Sequence, residues 1–148
     1  MLLLVGNDRY DELATFLETQ LKRGDTVRNH LLLAKTYDKL QRPEDAQAQV
    51  SAALELAPDD FTANLARAAL ALRRGDTTQA NEPLVKAARS FEAPTKPSDK
   101  QTREYAVLRG IYLGLAGSTD EAKQQLQQVL ASDAQNEAAQ KALAALNS

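Results

Sequence analysis

The sequence predicts an all-α fold, an α-solenoid of antiparallel helix pairs. About three repeats are expected, with a partial repeat in front and a capping helix behind. Three observations carry this expectation. Ala, Leu, Gln and Glu are frequent, whereas β-branched and aromatic residues are scarce (aromatics 5%), so helices have their material and strands do not. Small and apolar residues recur at a fixed long period. Gly, Pro and short acidic runs punctuate the chain between the periodic stretches.

The period emerges from pairing like with like. Ala34 and Ala68 lie 34 residues apart, as do Ala46 and Ala80, Val50 and Leu84, and Ala53 and Ala87. Further on the separation becomes 42, for Ala68 and Gly110, Gly75 and Gly117, Ala80 and Ala122, and Leu84 and Leu126. The eight additional residues fall between Ala87 and Gly110, around EAPTKPSDK at 92–100. Pro94 and Pro97 cannot continue a helix, so this insertion reads as a loop. A period in this range marks supersecondary units that bury their apolar faces by stacking.

The elements follow in order. Residues 1–26 form a partial repeat: Met1–Val5 as the stub of a missing helix, Gly6 as its turn, then a helix over 10–23. That helix carries Tyr10, Leu13, Phe16 or Leu17, and Leu21 at helical spacing. Such a half-unit is what a longer array cut short would leave. Unit 27–60 gives helices 27–41 and 44–57. Unit 61–94 gives 61–74 and 78–91, where Pro83 predicts a kink or a late start. After the insertion at 92–101, unit 103–136 gives helices 102–116 and 119–132. A last helix over 136–147, NEAAQKALAALN, reads as the cap that repeat arrays need.

Packing explains the residue types. Antiparallel helices approach closely only where side chains are small, which places Ala34, Ala46 and Ala53 at crossings. Leu33, Tyr37 and Val50 fill the space between, and Pro58 closes a helix. Gly110 fits a crossing and Gly117 a turn. Gly114 either admits a close neighbour or weakens the helix end.

Unit 27–60, VRNHLLLAKTYDKLQRPEDAQAQVSAALELAPDD, resembles the tetratricopeptide repeat (TPR) family. His30 stands in the slot of the first large aromatic. Leu33 and Ala34 match the Leu–small pair, and Tyr37 the tyrosine. Ala46, Val50 and Ala53 match the face of the second helix, and Pro58 the closing proline. Later units depart from the pattern. Asn64 takes an aromatic slot, Arg67 and Arg109 take leucine slots, and Ala134 takes the proline slot. These departures leave open which way helices 61–74 and 103–116 face.

The resemblance implies a right-handed superhelix. Its concave groove, lined by the first helix of each pair, would bind a peptide or helix of a partner protein. By position, the groove would show Arg28, Leu31, Lys35 and Asp38, then Leu65, Ala69 and Leu72, then Val107 and Ile111. Lys39, Thr62, Arg73, Glu104 and Leu115 would flank them. Leu65, Ala66, Ala69 and Leu108 stand where the family's carboxylate clamps carry polar residues, so binding of a chaperone tail is not expected. Two readings of the apolar half stay open: it receives a partner's amphipathic helix, or the slip marked by Arg67 and Arg109 turns those residues into the core.

Chemistry finds little material. The absence of cysteine excludes disulfides, thiolate zinc sites and cysteine nucleophiles. His30 is the single histidine, so no second imidazole can complete a familiar zinc site. Glu44–Asp45, Asp59–Asp60 and Asp120–Glu121 each sit at a helix start, where carboxylates favour the macrodipole. Gly110, Gly114 and Gly117 have no strand before them and no Lys-Thr or Lys-Ser after, so they are no phosphate loop. The net charge of −2 comes without a basic block, which argues against nucleic acid. MLLLVG is too short for a signal peptide, and 105–117 is too short to span a bilayer and carries Arg109.

The expectation is therefore a soluble, non-catalytic protein–protein interaction scaffold with no catalytic, metal or cofactor site. The alternative is self-association, a structural segment whose apolar ends stack on neighbouring repeats or on a second copy. The compartment stays open.

One echo needs separating from the repeat. LKRGDT at 21–26 and LRRGDT at 72–77 lie 51 residues apart, one and a half periods. The first links two repeats and the second links two helices within one. Both are punctuation: a basic helix end, a glycine able to turn left-handed, and an Asp or Thr cap. That reading accounts for every residue of the Arg-Gly-Asp strings without an integrin.

Overall fold

The structure, a computed structural model, describes residues 7–148, so the expected stub Met1–Val5 and the turn at Gly6 lie outside the described residues. Eight α-helices follow one another among the described residues: α1 Asn7–Arg23, α2 Val27–Lys39, α3 Pro43–Leu56, α4 Phe61–Arg73, α5 Thr77–Arg89, α6 Asp99–Leu115, α7 Thr119–Ser132 and α8 Glu137–Asn147. A 3₁₀ turn at Ser90–Glu92 follows α5. There is no strand among the described residues, and no described helix is long and apolar enough to cross a membrane. The protein is all-α.

Six of the helix starts have a local cause. Thr26 Oγ1 accepts from Asn29 N at 3.0 Å, Asp60 Oδ2 from Ala63 N at 2.9 Å, Asp76 Oδ1 from Gln79 N at 2.9 Å, and Asn136 Oδ1 from Ala139 N at 3.0 Å. Pro43 opens α3 at a position whose N–H would be free in any case. Ser98 and Gln101 form a reciprocal capping box: Gln101 N donates to Ser98 Oγ at 3.1 Å and Ser98 N to Gln101 Oε1 at 2.8 Å. That box starts α6 at Asp99, inside the segment expected as loop. Compared with α4, α6 gains one N-terminal turn, so half of the eight-residue insertion is helix. Pro83 does not delay α5, which begins at Thr77 and runs through it.

The chain forms two compact units, Met1–Arg67 and Ala68–Ser148. In the first, α1 packs on α2 and α2 on α3. Its interior holds Ala14 and Leu17 from α1, Leu33, Ala34 and Tyr37 from α2, and Ala46, Val50 and Ala53 from α3. In the second, α5 packs on α6, α6 on α7, and α8 on both α6 and α7. One core there is Val107, Leu126, Val129 and Ala139, closed by Leu130, Ala142, Leu143 and Leu146. Another is Ala71, Leu72 and Ala80 with Leu108, Ile111 and Tyr112. A fully buried leucine such as Leu33 or Leu126 contributes roughly 1.5–3 kcal/mol.

Backbone geometry repeats where the alanines do. Arg42 N donates to Tyr37 O, Asp76 N to Ala71 O, and Ser118 N to Leu113 O, each at 2.9 Å. These are the long hydrogen bonds of a Schellman-type helix end. One residue before each donor the chain turns left-handed, at Gln41 (φ 61°), Gly75 (φ 71°) and Gly117 (φ 94°). The spacings are again 34 and 42. Gly24, by contrast, shows no left-handed φ, and its N–H bonds Gln20 O at 3.2 Å as a continuation of α1. The two hexapeptides thus differ in backbone as well as in place.

The other kind of boundary also recurs. Ala57 (φ −146°, ψ 86°) after α3 and Asp133 (φ −145°, ψ 78°) after α7 have nearly the same conformation. Asn64 Nδ2 donates to Pro58 O at 3.1 Å, and Gln140 Nε2 donates to Ala134 O at 2.8 Å, one 34-step and one 42-step later. Asn64, out of pattern as an aromatic, is 1% exposed and also bonds Asp60 O at 2.9 Å. Its amide ties the turn to α4, so the buried polar group is satisfied.

Candidate functional site

The expected groove residues divide by burial. On α2, Arg28 and Lys35 are exposed, while Leu31 and Asp38 are half-buried. Their i, i+3, i+7 and i+10 spacing makes one stripe along a single helix. Leu65, Leu72 and Val107 are buried instead, at 4%, 7% and 5% exposed. Ala69 and Ile111 are half-buried. Leu72 and Ile111 share one core cluster, and Val107 sits in the other. Leu65, Leu72 and Val107 are therefore packed in the interior, while Ala69 and Ile111 keep part of their surface. The reason lies in the leucine slot. Leu33 fills it on α2 and is 1% exposed. Arg67 fills it on α4 and faces solvent, and other positions of that helix, Phe61, Leu65 and Leu72, take over the burial.

Two polar clusters fix unit 1. His30 Nδ1 pairs with Gln49 Oε1 at 2.7 Å, bridging α2 to α3, and Nε2 lies 3.7 Å from Asp25. The imidazole is 7% exposed and serves helix packing. The Tyr37 hydroxyl donates to the Glu18 carboxylate, while Arg42 stacks 4.4 Å above the Tyr37 ring and holds Asp45 at 2.7 Å. Burial, then the Glu18 hydrogen bond and charge, push the Tyr37 phenol up to about 12. Among the described residues no group of three His, Cys, Asp or Glu side chains is placed to hold a metal.

Unit 2 contains a half-open pocket of about 340 Å³. From α5 come Asn81, Leu84, Val85 and Ala88, and from α6 come Tyr105, Arg109 and Tyr112. The α6 residues follow i, i+4, i+7 spacing and so share a face. Tyr112 donates to Asn81 Oδ1 at 3.3 Å, across the two helices. Phe91, on the 3₁₀ turn, meets the Tyr105 ring edge-on with centroids 5.1 Å apart at 64°. Leu84 gives a buried floor, and Val85 is 47% exposed at the rim. The sequence carries one sign of this pocket, Arg109 in the leucine slot, and nothing in the spacing of α5 reveals it.

No family model matches the chain, and neither does any curated protein.

Proposed function

We propose that the chain is a tetratricopeptide-like α-solenoid that works as a non-catalytic scaffold, binding a peptide or helix of a partner protein. The observation that carries this reading is the recurrence of the left-handed helix end at Gln41, Gly75 and Gly117. Left-handed turns of one kind, at the spacing of the buried small residues, suit a stacked two-helix unit. The stripe Arg28, Leu31, Lys35 and Asp38 lies on the first helix of a unit and keeps two cations in solvent. Such a mixed charged and apolar strip suits an acidic amphipathic segment.

A selection of displayed random peptides on the whole chain tests the binding. Arg28→Glu with Lys35→Glu is expected to weaken the selected peptide about tenfold or more, with an unchanged thermal melt. A selection without saturable binders, or binders indifferent to both substitutions, rejects the reading. Small-angle scattering tests the shape. A compact domain of this length has a radius of gyration of about 15 Å, and the solenoid requires a larger value.

A second reading, self-association, is favoured by α1, where Leu13 and Phe16 are 42% and 57% exposed. It requires a concentration-dependent dimer in light scattering that Phe16→Glu abolishes. A monomer at all concentrations removes it.

A further inference from the structure

The pocket between α5 and α6 joins three features. It has an apolar floor and wall of Leu84, Val85 and Ala88, with Tyr105 and Tyr112 beside it. It has a cation, Arg109, half-buried and with a guanidinium that makes no hydrogen bond or ion pair among the described residues. Its volume, about 340 Å³, lies at the small end of the range for sites that hold organic ligands. A partly desolvated guanidinium gains strongly from a planar carboxylate, which it can take through two parallel N–H bonds. The Tyr112 hydroxyl, held by Asn81 at 3.3 Å, can turn its proton to the same anion, while the aliphatic side chains favour an apolar group attached to it.

We propose that this pocket binds a carboxylate joined to a compact apolar group, with Arg109 holding the carboxylate and Leu84, Val85 and Ala88 holding the apolar part. Two ligands share this chemistry: a small free organic acid, and the C-terminal residue of a polypeptide ending in an apolar side chain. The site lies wholly within Ala68–Ser148 and uses none of the α2 stripe, so it is independent of the scaffold reading.

The test is titration of the whole chain, followed by amide resonances in ¹⁵N–¹H spectra. The probes are 4-methylpentanoate, a capped tripeptide ending in leucine with a free carboxylate, and the same peptide as its carboxamide. Saturable shifts confined to 81–88 and 105–112, with Kd below about 1 mM, are expected for one or both acids. Binding of 4-methylpentanoate marks a free acid as a sufficient ligand. Binding of the peptide acid alone marks a polypeptide terminus. Arg109→Leu installs the residue that fills the same slot at Leu33, so it is expected to fold and to weaken binding about tenfold or more. Tyr112→Phe, which keeps the ring, is expected to weaken it less and serves if Arg109→Leu unfolds. Arg28→Glu with Lys35→Glu is expected to leave it unchanged. The proposal is overturned if neither acid binds, if the carboxamide binds as well as the acid, or if neither pocket substitution weakens binding.

Discussion

Gly110 and Leu126 offer a quantitative test of the repeat. A Cβ added at Gly110 would stand 2.8 Å from both Cγ and Cδ2 of Leu126, well inside contact distance. Leu126 is fully buried among Val107, Val129 and Ala139. Gly110→Ala therefore carries an overpacking cost of about 1–3 kcal/mol. Against this stands the helix-propensity gain of alanine over glycine, about 1 kcal/mol. The net is a loss centred near 1 kcal/mol. Leu126→Val removes one methylene and loses about 0.5–1.5 kcal/mol on its own. The double substitution does something different. It recreates the pair that the first repeat uses at the same two slots, Ala34 and Val50, both buried. Valine removes the Cδ2 contact but keeps a γ carbon, so part of the clash goes while the propensity gain remains, and the double variant is expected to lose about 1 kcal/mol less than the two singles together. Urea unfolding with an unchanged m-value measures this difference. Gly110→Ala at or above parental stability, or a double variant whose loss equals the sum of the singles, refutes the equivalence of these slots.

Two further outcomes follow from unit 1. Gln41 occupies, at φ 61°, the left-handed position that Gly75 and Gly117 hold elsewhere. Gln41→Gly removes roughly 1–2 kcal/mol of backbone strain and gives back about 0.5–1 through the freer unfolded chain, so a stability gain of about 0.7 kcal/mol is expected in urea unfolding. A fall would show that the Gln41 side chain contributes more than its backbone strain costs. Tyr37 has its phenol raised from 10.0 to about 12, so the folded state holds this proton more tightly than the unfolded one. Its contribution is fully present below pH 10 and is lost as pH rises through 12, at up to ~1.4 kcal/mol per pH unit. Tyr37→Phe should flatten that alkaline decline, and equal slopes in the two proteins would remove the coupling to Glu18.

Helix number, order and most ends were legible because they rest on local physics. Thr26, Asp60, Asp76 and Asn136 cap within three residues of themselves, and the buried alanines report crossings at any distance. What stayed hidden needed three dimensions. Gly114 had two candidate roles until α8 was in place. A Cβ there would meet Leu146 Cδ2 at 2.9 Å, so the glycine admits that helix. The facing of α4 was hidden because Leu65 and Leu72 fit both an open groove and an interior, and periodicity alone does not distinguish two apolar faces of one helix. Asn64 looked like a departure because a motif slot names a residue type. Its amide bonds to Pro58 and Asp60 show that the slot also accepts a polar tie between turn and helix.

The same reasoning explains why the pocket arises in the third unit. A leucine slot filled by arginine is not sufficient, since Arg67 has the same change and is exposed. The third unit adds a second departure one turn earlier. Ala63 and Ala139 occupy the corresponding position on α4 and α8 and are fully buried, whereas α6 places Tyr105 there. A ring in a slot shaped for a methyl group has to lean outward. The 3₁₀ turn that leads into the insertion brings Phe91 against its edge, and the additional helical turn, capped by Ser98, extends α6 beyond it. Arg109, one turn further along the same face, then stands beside two phenols and an aliphatic floor rather than in bulk water.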